Sequence, residues 1–74
     1  MPRTMQHSGD DALLNDEDLT LLTLLAEGLP LDAVARRLAI SERTVRRKSR
    51  AICDRLGVPA PISAVRWAAQ RGLL

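Results

Sequence analysis

Apolar residues recur at helical spacing in four stretches of the chain, and residues typical of helix ends bound each stretch. The first stretch follows Asn15, a favoured N-cap residue, and ends at Gly28, which suits a left-handed stop. The acids at 16–18 fall in its first turn, at the positive end of the helix dipole. Leucines at 19–25 surround much of this helix, so we expect it to be largely buried.

Prolines mark the starts of two shorter predicted helices. One follows Pro30, and the last opens at Pro61 and runs through Arg71. The residues expected on their inner faces are Val34, Ala35 and Leu38 in the second helix and Ala64, Val65 and Ala68 in the fourth.

The third predicted helix lies between these two. Ser41 is its expected N-cap, and the helix runs from Glu42 to about Leu56, where Gly57 ends it. Its narrow buried stripe consists of Val45, Ser49, Ile52 and Leu56. The fold class is therefore all-α, a four-helix domain of residues 14–74, preceded by a polar arm, 1–13, that we expect to be flexible.

Charge is divided unequally along the chain. Residues 1–35 hold seven acids and one base, a net charge of −6, whereas residues 36–74 hold ten bases and two acids, a net charge of +8. Such polarity indicates that one half faces a polyanion. The alternative is a soluble protein whose charges are scattered without a partner.

The composition excludes several classes of protein. The single Cys53 allows no disulfide framework and fits a reducing cytoplasm, and we expect no metal site and no cofactor. No apolar run is long enough to cross a membrane. A chain of 74 residues leaves little room for a substrate pocket, and it shows no catalytic triad or phosphate-binding loop, so we do not expect an enzyme.

Two helices joined by a short turn, the second capped by serine and basic on its outer face, form a helix-turn-helix. Such a second helix fits the major groove of duplex DNA, and its N-terminal half reaches base edges. Arginine bonds guanine with two hydrogen bonds and also neutralises phosphate, so we predict that Arg46, Arg47 and Arg50 read bases. Ser41 and Thr44 suit a phosphate oxygen at the helix N-terminus. The alternative for this face is a solvated basic surface.

The ordered motifs resemble the LuxR/FixJ-type DNA-binding domain. The stretches that carry the resemblance are Leu14 to Asp18, Leu21 to Gly28, Val34 to Arg46, Ile52 with Arg55-Leu56-Gly57-Val58, and Ala64-Val65 with Ala68 to Leu74. The resemblance covers residues 14–74 and implies a four-helix transcriptional regulator of duplex DNA, with the third helix in the major groove. No receiver or ligand domain accompanies the motif, so we expect the domain to act without an attached sensor.

The resemblance also implies roles for individual residues. Base-reading positions of the family correspond to Arg46, Arg47 and Arg50. The expected contacts with the DNA backbone are Ser41, Arg43, Thr44, Lys48 and Arg55.

The fourth helix of the family often forms a dimer contact. Here Ser63, Trp67 and Gln70 share a face, and we expect a weak homodimer through them. Trp67 could equally cover the edge of the core. The competing function is a protein-interaction module, a sigma-region-4-like domain or a co-regulator, that binds RNA polymerase or a larger regulator.

Overall fold

The computed structural model describes residues 13–74. Four helices follow one another in that range: α1 (Asp16–Ala26), α2 (Leu31–Leu38), α3 (Glu42–Leu56) and α4 (Pro61–Gln70). The predicted all-α, four-helix class is confirmed. The expected flexible arm, apart from Leu13, lies outside the described residues.

Side chains cap the two longest helices. At α1, the backbone N–H of Asp18 donates to Asn15 Oδ1 at 2.8 Å, and the backbone N–H of Asn15 donates to Asp18 Oδ2 at 3.1 Å. At α3, the backbone N–H of Thr44 donates to Ser41 Oγ at 3.1 Å. Both caps satisfy amides that have no partner inside their helix, as the sequence predicted.

The turn between α2 and α3 depends on a left-handed alanine. Ala39 has a φ of 59°, and it is the one residue other than glycine with a positive φ in the described range. In this conformation the backbone N–H of Ile40 donates to the carbonyl of Ala35 at 3.0 Å, which closes the end of α2. Ser41 follows Ile40, so only three residues, 39–41, separate α2 from α3.

The core sets the position of α3, which packs against both α2 and α4, while α1 packs mainly on α4. Val45 and Ile52 of α3 are fully buried, Ser49 is nearly so, and Leu56 is half-buried. The other fully or almost fully buried side chains include Leu21, Leu22, Val34, Ala64 and Ala68. One face of α3 is thereby fixed inward and the opposite face is left to solvent. Within residues 13–74, no helix has the length and apolar character needed to cross a membrane.

Candidate nucleic-acid interface

The six bases of α3 differ in the partners that they have. Lys48 Nζ lies 3.5 Å from Glu17 Oε1 of α1, and Arg55 binds Asp18 of the same helix. These two bases therefore connect α3 to α1. Neither contact involves neighbours along the chain, and the sequence interpretation did not anticipate them.

The remaining bases point away from α1. Arg46 pairs at 3.8 Å with Glu42, one turn earlier in α3, and both side chains are about half exposed or more. Such an exposed pair within one helix contributes only a few tenths of a kcal/mol. Arg46 therefore remains easily available to another anion.

Arg43, Arg47 and Arg50 are exposed, and their guanidinium groups make no ion pair or hydrogen bond with residues 13–74. Their spacing of four and three residues places them on one face of α3. Like charges at this spacing repel each other, which destabilises the isolated helix. An external anion would relieve that repulsion. The structure thus brings together on one side of α3 the three predicted base-reading arginines and Arg43.

The two hydroxyls at the start of α3 are bonded to each other. Ser41 Oγ donates to Thr44 Oγ1 at 2.9 Å and also accepts the cap bond from the backbone of Thr44. The Thr44 hydroxyl keeps its own proton to donate outward. Because helix N-termini carry partial positive charge, this group is suited to a phosphate oxygen, and Ser41 orients it.

Arg55 is held more firmly than the other bases. Its Nη1 donates to Asp18 Oδ2 at 2.9 Å and to the carbonyl oxygen of Leu13 at 3.1 Å, and its Nη2 donates to Asp18 Oδ1 at 3.4 Å. Asp18 is 9% exposed. The geometry assigns Arg55 a structural role, and its expected contact with the DNA backbone stays a prediction.

The predicted dimer residues on α4 differ in exposure. Trp67 is half-buried against the core, and the guanidinium of Arg71 lies 4.0 Å from the centre of its ring. Ser63 is half-buried and Gln70 is exposed. On another side of α4, Ile62 is 61% exposed, the most exposed of the large apolar side chains in the described part of the chain. Trp67 and Ile62 therefore lie on two different sides of α4.

Comparison with known proteins agrees with these features. The family model described as "Bacterial regulatory proteins, luxR family" matches residues 12–68. Over 70 residues the chain is 33% identical to "Transcriptional regulatory protein YdfI" of Bacillus subtilis (strain 168), a match that covers 95% of this chain and 33% of that protein. The chain thus spans about a third of the length of that relative. No solved structure gives a significant match.

Proposed function

Because the chain belongs to the luxR family of bacterial regulatory proteins, a family of DNA-binding transcription regulators, we propose that α3 reads the sequence of duplex DNA from the major groove. The observation that carries this proposal is the exposed face of Arg43, Arg47 and Arg50, which has no anionic partner within residues 13–74. Because its buried stripe fixes α3 in the fold, the helix presents its basic face to the major groove of DNA in one fixed orientation.

Different residues of α3 contact the bases and the phosphates in this proposal. Arg46, Arg47 and Arg50 supply the planar donors that match the edge of guanine. Thr44, oriented by Ser41, and Arg43 bind phosphates and fix the register of α3 on the duplex. Lys48 reaches a phosphate by exchanging its 3.5 Å contact with exposed Glu17 for a contact with DNA.

In this proposal two copies of the domain bind the duplex as a homodimer. Helix α4 forms a weak homodimer through Ser63, Trp67 and Gln70, and DNA tightens it by linkage. A two-fold pair would set the recognition helices roughly 34 Å apart, one turn of the duplex. The protein acts in the cytoplasm, where bacterial DNA lies, as a regulator and not as an enzyme.

Selection of bound duplexes from a random pool tests the proposal. A shared motif should emerge, and Arg47→Ala should relax its preference at one base pair, whereas the matched control Arg66→Ala should leave the motif unchanged. Arg66 is also exposed and without an ion pair in the described chain, but it lies on α4. Recovery of no motif, together with capture of RNA polymerase or a larger regulator by the acidic surface of α1, would support the interaction-module alternative.

A further inference from the structure

A groove of about 500 Å³ runs beside the proposed DNA-reading face of α3. The apolar part of its lining comes from the end of α1, the start of α2, the segment that links α3 to α4 and the first residue of α4: Leu25, Leu31, Val58, Pro59 and Pro61. Its volume falls in the range of small-molecule sites, roughly 300–1,000 Å³. Arg46, Arg50 and Asp54 line it from α3.

Two inward-facing residues of α3 that line the groove are small. Ser49 and Cys53 lie one turn apart on α3, line the groove and are 8% and 6% exposed. A leucine at either position would extend into the space that they leave. Burial raises the pKa of the Cys53 thiol, and the Asp54 carboxylate adds to this effect, so the thiol stays protonated and apolar at neutral pH.

The Ser49 hydroxyl points to a ligand. More than nine-tenths of the residue is buried, yet its hydroxyl makes no hydrogen bond with any part of the chain that the structure describes. Every fully enclosed side-chain oxygen or nitrogen in residues 13–74 has a hydrogen-bond partner, so Ser49 Oγ, which has none, is not fully enclosed. Since Ser49 lines the groove, its hydroxyl opens into the groove, where it can bond a polar atom of a bound molecule.

The charges at the groove define the chemistry of that molecule. Arg50 has no ion-pair partner among the described residues and Arg46 has only the 3.8 Å contact with Glu42, so both can bind an anion. Asp54 contributes one negative charge on the same helix, which leaves an excess of one positive charge. We propose that the groove binds a small amphipathic carboxylate, whose apolar body lies against Leu31 and Val58 and whose carboxylate binds Arg46 and Arg50.

Occupancy has a consequence for DNA binding, and this step rests on the proposed function. The ligand and the duplex require the same two arginines, so they compete. A small acid would then release the regulator from its operator.

Octanoate is a suitable probe, with octanol as the neutral control of equal chain length. In a titration of the free protein followed by amide NMR, octanoate should produce saturable shifts at Ser49, Cys53 and Val58. We expect saturation at millimolar concentration, because a ligand of about ten non-hydrogen atoms has little surface to bury. Arg50→Ala should weaken octanoate about tenfold, since it removes a charge-assisted hydrogen bond.

Ser49→Leu separates the groove from the DNA face. This variant fills the groove from the buried side of α3, so it should lose the octanoate shifts and keep DNA binding. Octanoate should displace DNA from the wild type and not from Ser49→Leu. If Ser49→Leu fails to fold, Cys53→Leu provides the same test, because Cys53 also lines the groove from the buried side of α3.

Three results would overturn the ligand site. They are an absence of saturable shifts, equal shifts with octanol and octanoate, and shifts that persist in a folded Ser49→Leu variant. Binding of an acidic amphipathic peptide at these residues, with octanoate inert, would replace the small-molecule site with a protein-docking surface. Octanoate binding in a protein that selects no DNA motif would preserve the site and refute the proposed function instead.

Discussion

The guanidinium of Arg55, at the end of α3, binds the carboxylate of Asp18, in the first turn of α1, through hydrogen bonds of 2.9 and 3.4 Å. Asp18 is also the residue whose side chain caps the backbone of Asn15. The same guanidinium bonds the carbonyl of Leu13. One arginine thus holds together the start of the described chain, the N-terminus of α1 and the end of the proposed recognition helix.

Replacing Arg55 with alanine should lower the free energy of unfolding by about 1–2 kcal/mol. The change leaves the buried Asp18 carboxylate without its charged donor, which is costly, although water screens the pair because the Arg55 side chain is 43% exposed. Arg55→Lys should recover only part of the loss, because lysine cannot form two parallel bonds. Urea unfolding followed by circular dichroism measures both variants.

The matched control is Arg66→Ala, which removes an exposed arginine without an ion pair in residues 13–74 and should change stability by less than about 0.5 kcal/mol. Equal stability of Arg55→Ala and Arg66→Ala would contradict the structural role. If Arg55→Ala leaves stability unchanged and makes the slope of log K against log salt for DNA binding shallower by about 0.9 per arginine removed, Arg55 is a phosphate contact instead.

Alanine at any of Arg46, Arg47 or Arg50 should weaken binding to the best duplex by about 1–3 kcal/mol and relax the preference for one base pair. Alanine at Arg43 should weaken all duplexes alike, because a phosphate contact carries no sequence information. Fluorescence anisotropy on the selected and on a scrambled duplex distinguishes the two classes. Any arginine whose removal weakens both duplexes equally belongs with the phosphate contacts.

Binding should depend strongly on salt. A dimer that neutralises roughly six to ten phosphates should give a slope of log K against log salt of about −5 to −9. The measurement is an anisotropy titration at several salt concentrations on a duplex with two half-sites. A slope near zero would indicate that the basic face does not bind DNA and would favour the protein-interaction alternative.

Local signals in the sequence predicted the helices well. Asn15 and Ser41 cap α1 and α3 through contacts three residues away, and Gly57 ends α3 in the left-handed conformation. Contacts between distant residues were not predictable in this way. The Arg55–Asp18 bridge spans 37 positions, and the interpretation of Arg55 as a DNA contact depended on the family resemblance alone.

The groove was not predictable from the sequence for a related reason. Ser49 falls at a helical spacing that predicts burial, and that prediction is confirmed. Whether a small buried residue leaves a groove depends on what faces it, and here Leu31 and Val58 come from other parts of the fold. The spacing of residues along α3 contains no information about how far Leu31 and Val58 lie from Ser49.

Ala39→Gly should stabilise the protein by about 0.5–1 kcal/mol. A left-handed conformation costs alanine about 1–2 kcal/mol, and glycine relieves this cost but loses about 0.5–1 kcal/mol of chain entropy on folding. Thermal unfolding measures the difference. Ala33→Gly is the control, because Ala33 lies inside α2 and the same change should destabilise the protein there. Destabilisation by both changes would mean that the turn gains nothing from glycine.

Trp67 and Ile62, which lie on different sides of α4, should respond differently to mutation. Trp67 packs on the core and is covered by Arg71, so Trp67→Ala removes contacts within one copy as well as any contact with a second. Ile62 is 61% exposed, so Ile62→Ala removes little from the fold. The pair of variants therefore separates dimerisation from folding.

If the dimer forms through Ser63, Trp67 and Gln70, Trp67→Ala should weaken dimerisation on a duplex with two half-sites more than it weakens folding, and Ile62→Ala should behave like the wild type. Aromatic anchors contribute about 2 kcal/mol or more at the centre of an interface, enough to separate the two variants. Sedimentation with and without DNA, together with thermal unfolding, measures both effects. Loss of the dimer in Ile62→Ala, with Trp67→Ala impaired only in folding, would move the interface to the exposed side of α4 and assign Trp67 to the core.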